Sequence, residues 1–336
     1  MKKIIIPLLA VAAVVAGVAI WCYDAFYGNC VRERHSLFVR SSDPYDSVAD
    51  SVDLYIKHRW AYDVYAERLN LADTFKAGHY VLEEGMSVID VVRMLKLGLQ
   101  TPVKVMNNVK TPAQLAGKLA RQLEADSVQL VSTFTDNALA ERLGFSNPLT
   151  MFSIFLPDTY EFYWTVKPED FVERMYKEYK KFWSASGRDE KRKRSGLNRV
   201  EVATLASIVY EETRKTDEMP RIAGVYINRL RQGIPLQADP TIKYAMQDFG
   251  LRRILYRHLK YESPYNTYLH RGLPPSPICM PSTAAIDAVL NYEDHDYIFF
   301  CARPTFDGYH NFARNLSEHN ANARAYQSEL NKRKIK

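Results

Sequence analysis

Twenty consecutive uncharged residues, Ile4 to Tyr23, lie between Lys3 and Asp24, and they restrict the chain more than anything downstream. As a helix they would be about 30 Å long, the thickness of a bilayer's hydrocarbon core. In lipid such a run satisfies its backbone only as a helix, so the rest of the chain must fold on one side of a membrane. The basic Met1-Lys2-Lys3 start also opens a secretory signal peptide, and the two readings compete. The anchor is preferred. The run is long for a signal core, no small-x-small cleavage site surrounds Trp21 and Cys22, and Trp21 is too bulky to precede a lipoprotein cysteine. Trp21, Tyr23 and Tyr27 then read as an interfacial aromatic belt, the lysines stay inside and the body is exported. Asp24, with Arg32 and Arg34, leaves the charge asymmetry across the span modest.

The remainder is ordinary globular material. With 336 residues, 47% hydrophobic and 25% charged, the chain supports one or two cored domains and is not disordered. A net charge of +6 suits an acidic polymer or surface, without choosing among nucleic acid, anionic lipid and cell wall. The cysteines lack metal-ligand spacing: Cys22 is in the apolar run, Cys30 lies just beyond it, and Cys279 and Cys301 have no His or Cys partners nearby. For Cys279 and Cys301, a disulfide and two free thiols both remain open.

Periodicity places two short amphipathic helices between Ser41 and Leu71. A strand follows near His79 to Leu82, then a turn at Glu83 to Gly85 and a helix capped by Ser87 that stops at Gly98, and then a strand at Val103 to Met106. Thr111 to Leu143 reads as helical. Aromatic density rises in SIFLPDTYEFYW, where Phe152, Phe155, Tyr160, Phe162, Tyr163 and Trp164 form either a sugar-stacking wall or core. Phe171 to Trp183 is helical, and Gly187 to Gly196 reads as a charged loop. Its basic run, Lys191 to Arg194, lacks the aromatic interleaving of a nucleic-acid contact and reads as a solvated face.

Between Arg199 and Ala245 one carboxylate stands out. Val202, Leu205, Ala206, Ile208 and Val209 recur at the spacing of one helix face, and Glu212 is next on that stripe. Glu211 points about 100° away and is expected to be solvated. A carboxyl held against apolar side chains keeps its proton to higher pH, which makes it a donor near neutrality. The alternative is that Glu212 merely reaches solvent past the helix end. Asp217 and Pro220 open a second helix, which Gly233 ends. Asp239-Pro240 opens a third, with Asp239 either its N-cap or a second catalytic carboxylate; the cap is preferred. Glu262 to Pro281 holds five prolines and cannot be regular throughout. Ser282 caps a helix to about Asn291, an Asp307-Gly308 turn joins a hairpin, His270, His310 and His319 show no ligand spacing, and a polar helix with a basic tail closes the chain.

Several of these stretches together resemble one family. LASIVYEET, RIAGVYINRL and GIPLQADPTIKYA are similar to the core of the endolytic murein transglycosylases, the YceG/MltG-like family, in which a helix ending in Glu-Thr carries the catalytic acid. Glu212-Thr213 is the matching pair. LPDTY, YNTY, GLPPSPI and HNFARNLSEHN match further family motifs, so the resemblance runs from about Phe75 to Asn320. Many members carry a second acid two residues before the catalytic one; here that position is Tyr210.

The resemblance implies an α+β protein with one N-terminal transmembrane helix (1–29), a helical lead-in and small LysM-like module (30–106), and a larger mixed α+β catalytic domain (107–336). It implies Glu212 as the catalytic acid, with Asp158, Thr159, Tyr160, Gln237, Asp239, Thr241, Tyr265, Asn266 and Thr267 as substrate contacts. No metal or cofactor is expected. The implied activity is a lyase reaction on peptidoglycan glycan strands that leaves 1,6-anhydromuramic ends, in a single-pass inner-membrane protein with a periplasmic body. The partners would be glycan strands, with peptidoglycan synthases or division proteins beside them, and no nucleic acid. Two alternatives stand: a hydrolytic muramidase pairing Glu212 with Asp239 or Asp158, and a non-catalytic wall-binding scaffold.

Overall fold

The computed structural model describes residues 2–106, 109–251 and 253–333. The chain divides into two compact units, one of 1–105, 120–125 and 160–167, the other of 106–119, 126–159 and 168–336. The domain boundary expected at 106/107 abuts residues 107 and 108, and the basic tail runs into 334–336; these residues lie outside the described ones.

The first unit begins with α1 (Lys2–Tyr27), whose segment Ile6–Tyr27 is long and apolar enough to cross a bilayer. Its last turns are packed: Ala25 is fully buried, and Trp21 stacks on Trp60. Strand β1 (His35–Val39) follows, then α2 (Tyr45–Asp53), α3 (Arg59–Arg68), the short α4 (Leu71–Thr74), β2 (Gly78–Leu82), α5 (Val88–Leu97) and β3 (Val103–Met106). The capping box of Ser87 and Asp90 opens α5, and Gly98, at φ 70°, closes it. The expected strand–helix–strand unit is re-wired. β2 pairs antiparallel with β1, not with β3, because Leu37 and Val39 turn inward from β1 onto the same core as Tyr80 and Leu82. β3 pairs instead with β4 (Thr159–Phe162). Phe162 and Trp164 are buried in this unit, Trp164 edge-on to Phe38.

The second unit is mainly helical. The stretch from Thr111 to Leu143 is not one helix but α6 (Pro112–Leu119), α7 (Ser127–Phe134) and α8 (Asn137–Arg142), because Asp126 and Asp136 each cap a fresh start. After α9 (Pro148–Met151) come α10 (Pro168–Ser184) and α11 (Arg188–Ser195). Phe152 and Phe155 are core, with Phe155 against Phe134 and Phe171, so of the two readings of this stretch they take the core, whereas Tyr163 is exposed.

The expected loop 187–196 is α11. Gly187 and Gly196 bracket it at positive φ, Asp189 and Glu190 stand in its first turn and basic residues in its last, the arrangement that suits a helix dipole. It buries no residue, so it has no apolar period to betray it.

The centre of this unit is α12 (Arg199–Glu212), surrounded by α13 (Met219–Arg231), α14 (Asp239–Ala245) and α15 (Thr283–Leu290). Every residue from Val202 to Val209 is buried, so α12 is a central helix rather than one with a single apolar stripe. Gly224 lets α13 meet the Glu293–His295 segment: a methyl group there would collide with the Glu293 carbonyl oxygen. The hairpin β5 (Phe299–Ala302) and β6 (His310–Ala313) and the helix α16 (Leu316–Lys332) complete it. Cys279 and Cys301 are free thiols.

Candidate active site

A reciprocal cap starts α12, with the Asn198 side chain accepting from the Glu201 amide and the Glu201 carboxylate accepting from the Asn198 amide. The helix stops where Thr213 turns extended, which leaves Glu212 as its last residue. That position opens onto a cavity of about 530 Å³ walled by Tyr226 and Arg229 of α13, the Leu236–Asp239 loop, Tyr268, β5 and the start of α16. The two adjacent acids part company there. Glu211, expected to be solvated, is only 12% exposed and sits between Lys110 and Arg214, because residues near 110 fold back over that face of α12. Among the described residues, Glu212 has no cationic partner in contact. The Tyr226 hydroxyl donates to its Oε1 at 2.6 Å.

Burial pushes the Glu212 carboxyl up to about 7; the Tyr226 hydrogen bond pulls the other way, and the nearby Asp239 charge raises it further. Glu212 can therefore hold a proton at neutral pH and yet release it.

Asp239 is not the expected N-cap. Ala238 occupies that position, and Asp239 is the first helical residue of α14. Its Oδ1 accepts from the Tyr268 hydroxyl at 2.6 Å instead, on the cavity wall. Burial and the Asp239 bond hold the Tyr268 phenol far above its ordinary value, so it stays a donor.

Gln237 also lines the cavity, from backbone at φ 54°, a strained conformation for a residue other than glycine. Its amide donates to the Thr267 carbonyl at 3.0 Å, and Arg229 donates from Nη2 to its Oε1 at 3.1 Å. Arg229 also donates from Nη1 to the Leu236 carbonyl at 2.6 Å.

The remaining expected contacts form a frame behind this wall. Thr241 and Thr267 are buried, share a hydroxyl bond and tie down Ala238. Asn266 is buried and donates to the carbonyls of Leu259 and Tyr261. Tyr265 packs on Tyr244 and bonds Ser276, while the Ile278 amide donates to the Ser207 hydroxyl, so the proline-rich loop is fastened to α12 itself. Asp158 and Thr159 close a segment of the second unit and do not line the Glu212 cavity; Tyr160 belongs to the first unit. Sequence reasoning did not single out Tyr226, Arg229 or Tyr268 as site residues. Tyr268 stands inside the YNTY motif, and that was its available signal.

A larger cleft of about 1080 Å³ lies near the other end of α12, between Asn198–Glu201 and Gly272–Pro275. Its Asp189 is bound by Arg199 and Arg192, and the Arg199 bonds hold that carboxyl below its ordinary value. Asp189 is thus a carboxylate at neutral pH while Glu212 holds a proton there, and the smaller cavity is the candidate site.

The sequence model of the YceG-like family matches residues 37–325. A Bacillus subtilis (strain 168) protein named endolytic murein transglycosylase is 28% identical over 295 residues, covering 83% of this chain and 80% of its own. A protein of the same name from Streptococcus pneumoniae serotype 2 (strain D39) is 30% identical over 307 residues, covering 82% of this chain and 55% of its own, so this chain spans about half of it. A crystal structure of a YceG-like protein from Listeria monocytogenes superimposes with a TM-score of 0.57 at 24% identity, over 86% of this chain and 99% of the other, and the two share a fold. The family match begins within β1 and ends within α16, taking in Glu212, its tyrosine and both walls of the cavity, and on that extent the chain belongs to the YceG-like family.

Proposed function

We propose that this protein is a membrane-anchored peptidoglycan lytic transglycosylase, with Glu212 as its one acid and base. The observation that carries the reading is a carboxyl whose pKa burial pushes up to about 7, set in a cavity and hydrogen-bonded to a tyrosine, with no cation in contact among the described residues. The names of the bacillary and pneumococcal relatives support the substrate. Tyr226 occupies Oε1, so Oε2 carries the proton. That proton goes to the glycosidic oxygen as its bond to C1 of N-acetylmuramic acid breaks, freeing the neighbouring sugar as an alcohol. The resulting carboxylate takes the proton of the same sugar's C6 hydroxyl as O6 bonds to C1. Water is not consumed and Glu212 ends protonated, ready for the next strand.

Gln237 and Asp239 contact the glycan from the cavity wall, Asp239 oriented by Tyr268. Tyr265, Asn266, Thr267 and Thr241 hold that wall, and Asp158, Thr159 and Tyr160 serve strand residues farther along. The 30–106 region acts as a LysM-like glycan module ahead of the catalytic part, 107–336. Helix α1, 1–29 with its flanks, anchors the chain in the inner membrane with the body in the periplasm, where cleavage beside synthases or division proteins would terminate nascent strands. The burial of Ala25 and the stacking of Trp21 on the body support an anchor over a cleaved signal, since cleavage would strip part of that core.

Because Asp239 shares the cavity with Glu212, hydrolysis with Asp239 as base is the second reading. Mass spectrometry of products from glycan strands decides. Anhydromuramic ends that vanish in Glu212→Gln support the transglycosylase, and reducing muramic ends support hydrolysis. Wild-type protein that is folded and cuts nothing would turn the reading toward a scaffold.

A further inference from the structure

We infer that α3 is a membrane-contacting element: Trp60 and Val64 rest in the outer interfacial layer of the bilayer that α1 crosses, so that the first unit is seated on the lipid instead of held above it. The inference rests on the anchoring reading and adds a surface to it. The charge-free run of α1 ends at Tyr23, before Asp24. Counted from Lys3 at ~1.5 Å per residue, it fills a hydrocarbon core of about 30 Å, which puts Trp21 about 3 Å inside the far boundary. Trp21 does not face lipid alone. Its indole stacks on that of Trp60 with ring centres 5.0 Å apart, and Phe26 meets Trp60 edge-on at 5.5 Å. Trp60, a residue of the folded body, therefore stands at the same depth as Trp21.

The rest of the surface suits that depth. Val64, one turn on from Trp60 in α3, is 53% exposed, and Trp60 itself 37% exposed. An indole at the boundary between hydrocarbon and headgroups is in its preferred place, with its ring in the apolar layer and its N–H toward water. The adjacent Arg59 is held by Asp50, Asp53 and Asp63. One guanidinium set among three carboxylates leaves that flank acidic, so the contact with the bilayer is made by the aromatic and apolar side chains and gains nothing from anionic lipid. Its consequence is mechanical: two points of contact, a spanning helix and a second helix at the surface, fix the height and rotation of the first unit.

The test uses the full chain in phosphatidylcholine vesicles whose acyl chains carry bromine near the headgroup, reading tryptophan emission. Trp164 and Trp183 are buried in protein and serve as the unquenched background. Trp60→Phe keeps an aromatic ring against Trp21, and circular dichroism checks the fold. The expected result is that Trp60→Phe and Trp21→Phe each remove about half of the bromine-quenched emission and that the double variant abolishes it. If Trp60→Phe leaves the quenched amplitude intact and Trp21→Phe alone removes it, α1 spans the membrane but the seat is wrong. If the wild-type chain shows no quenching, the anchoring reading fails and the seat falls with it.

Discussion

The proposed function rests on one proton, that of Glu212. Between about pH 4.5 and pH 7 the folded protein keeps a proton on this residue that the unfolded chain has released. Stability therefore falls as pH rises through that window, and above it the cost of the buried charge is on the order of 3 kcal/mol. Glu212→Gln removes that cost. Chemical denaturation should find the variant equal to the wild type near pH 4 and more stable by roughly that amount at pH 8, while its cleavage rate drops by about 10²–10⁴-fold. Equal stability at both pH values would mean that the carboxyl is not raised. Tyr226→Phe acts in a different direction. Losing a donor that favours the carboxylate raises the Glu212 pKa further, so the alkaline limb of the pH–rate profile should move up by about one pH unit. A limb that stays in place would remove Tyr226 from the proton's account. The place of Glu212 after an apolar run was legible as a local pattern, but that pattern also fits a glutamate reaching solvent past a helix end, and the family resemblance singled it out; Tyr226, fourteen residues on, reads simply as one more member of a helical stripe. In the YNTY loop no period says which tyrosine faces in, and Tyr268 reaches Asp239 while Tyr265 turns to Ser276.

At the level of elements, the strongest signals were caps and glycines, and the misses have definable causes. Ser87, Gly98 and Ser282 act where local chemistry places them. Helix α11 escaped because its support is a pattern of charges and two left-handed glycines, with no buried face. β1 escaped because five residues with two inward positions are too short a signal until Tyr80 and Leu82 are in view. The Asp239 cap failed because a tyrosine twenty-nine residues away competes for the carboxylate. The closeness of α13 to the chain at Glu293 is a property of Gly224, and it can be tested directly. Gly224→Ala places a methyl group against the Glu293 backbone carbonyl and the His295 ring, where a flexible side chain cannot simply step aside. Thermal denaturation should show a loss of about 1–3 kcal/mol. Because Tyr226 and Arg229 ride on the same helix, cleavage should fall with it. A variant as stable as the parent would show that α13 has slack.

For the whole molecule, the question is how far two cores behave as two. The first unit gathers its core from α1, the β1–β2 ladder, α3 and α5, and the second is built around α12. Each has a buried apolar core of its own and is expected to melt as a cooperative body. Helix α1 contributes to the core of the first of them: Ala25 is fully buried in that core and Phe26 is packed against it. On the anchoring proposal, removing residues 1–28 would do more than free the chain from lipid. It uncovers the apolar surface beneath Ala25 and Phe26, for which a loss of about 2–4 kcal/mol is expected in the first unit. Scanning calorimetry of the full chain in detergent, beside the truncated chain in the same detergent, should show one transition moving down while the other holds. Gly224→Ala should move the opposite one. Cleavage of short, soluble glycan strands should survive the truncation at temperatures below the first transition, since Glu212, Tyr226 and Asp239 all belong to the second unit. If truncation and Gly224→Ala instead lowered a single shared transition together, the two units would be one cooperative body, and α1 would support the active site as well as the anchor.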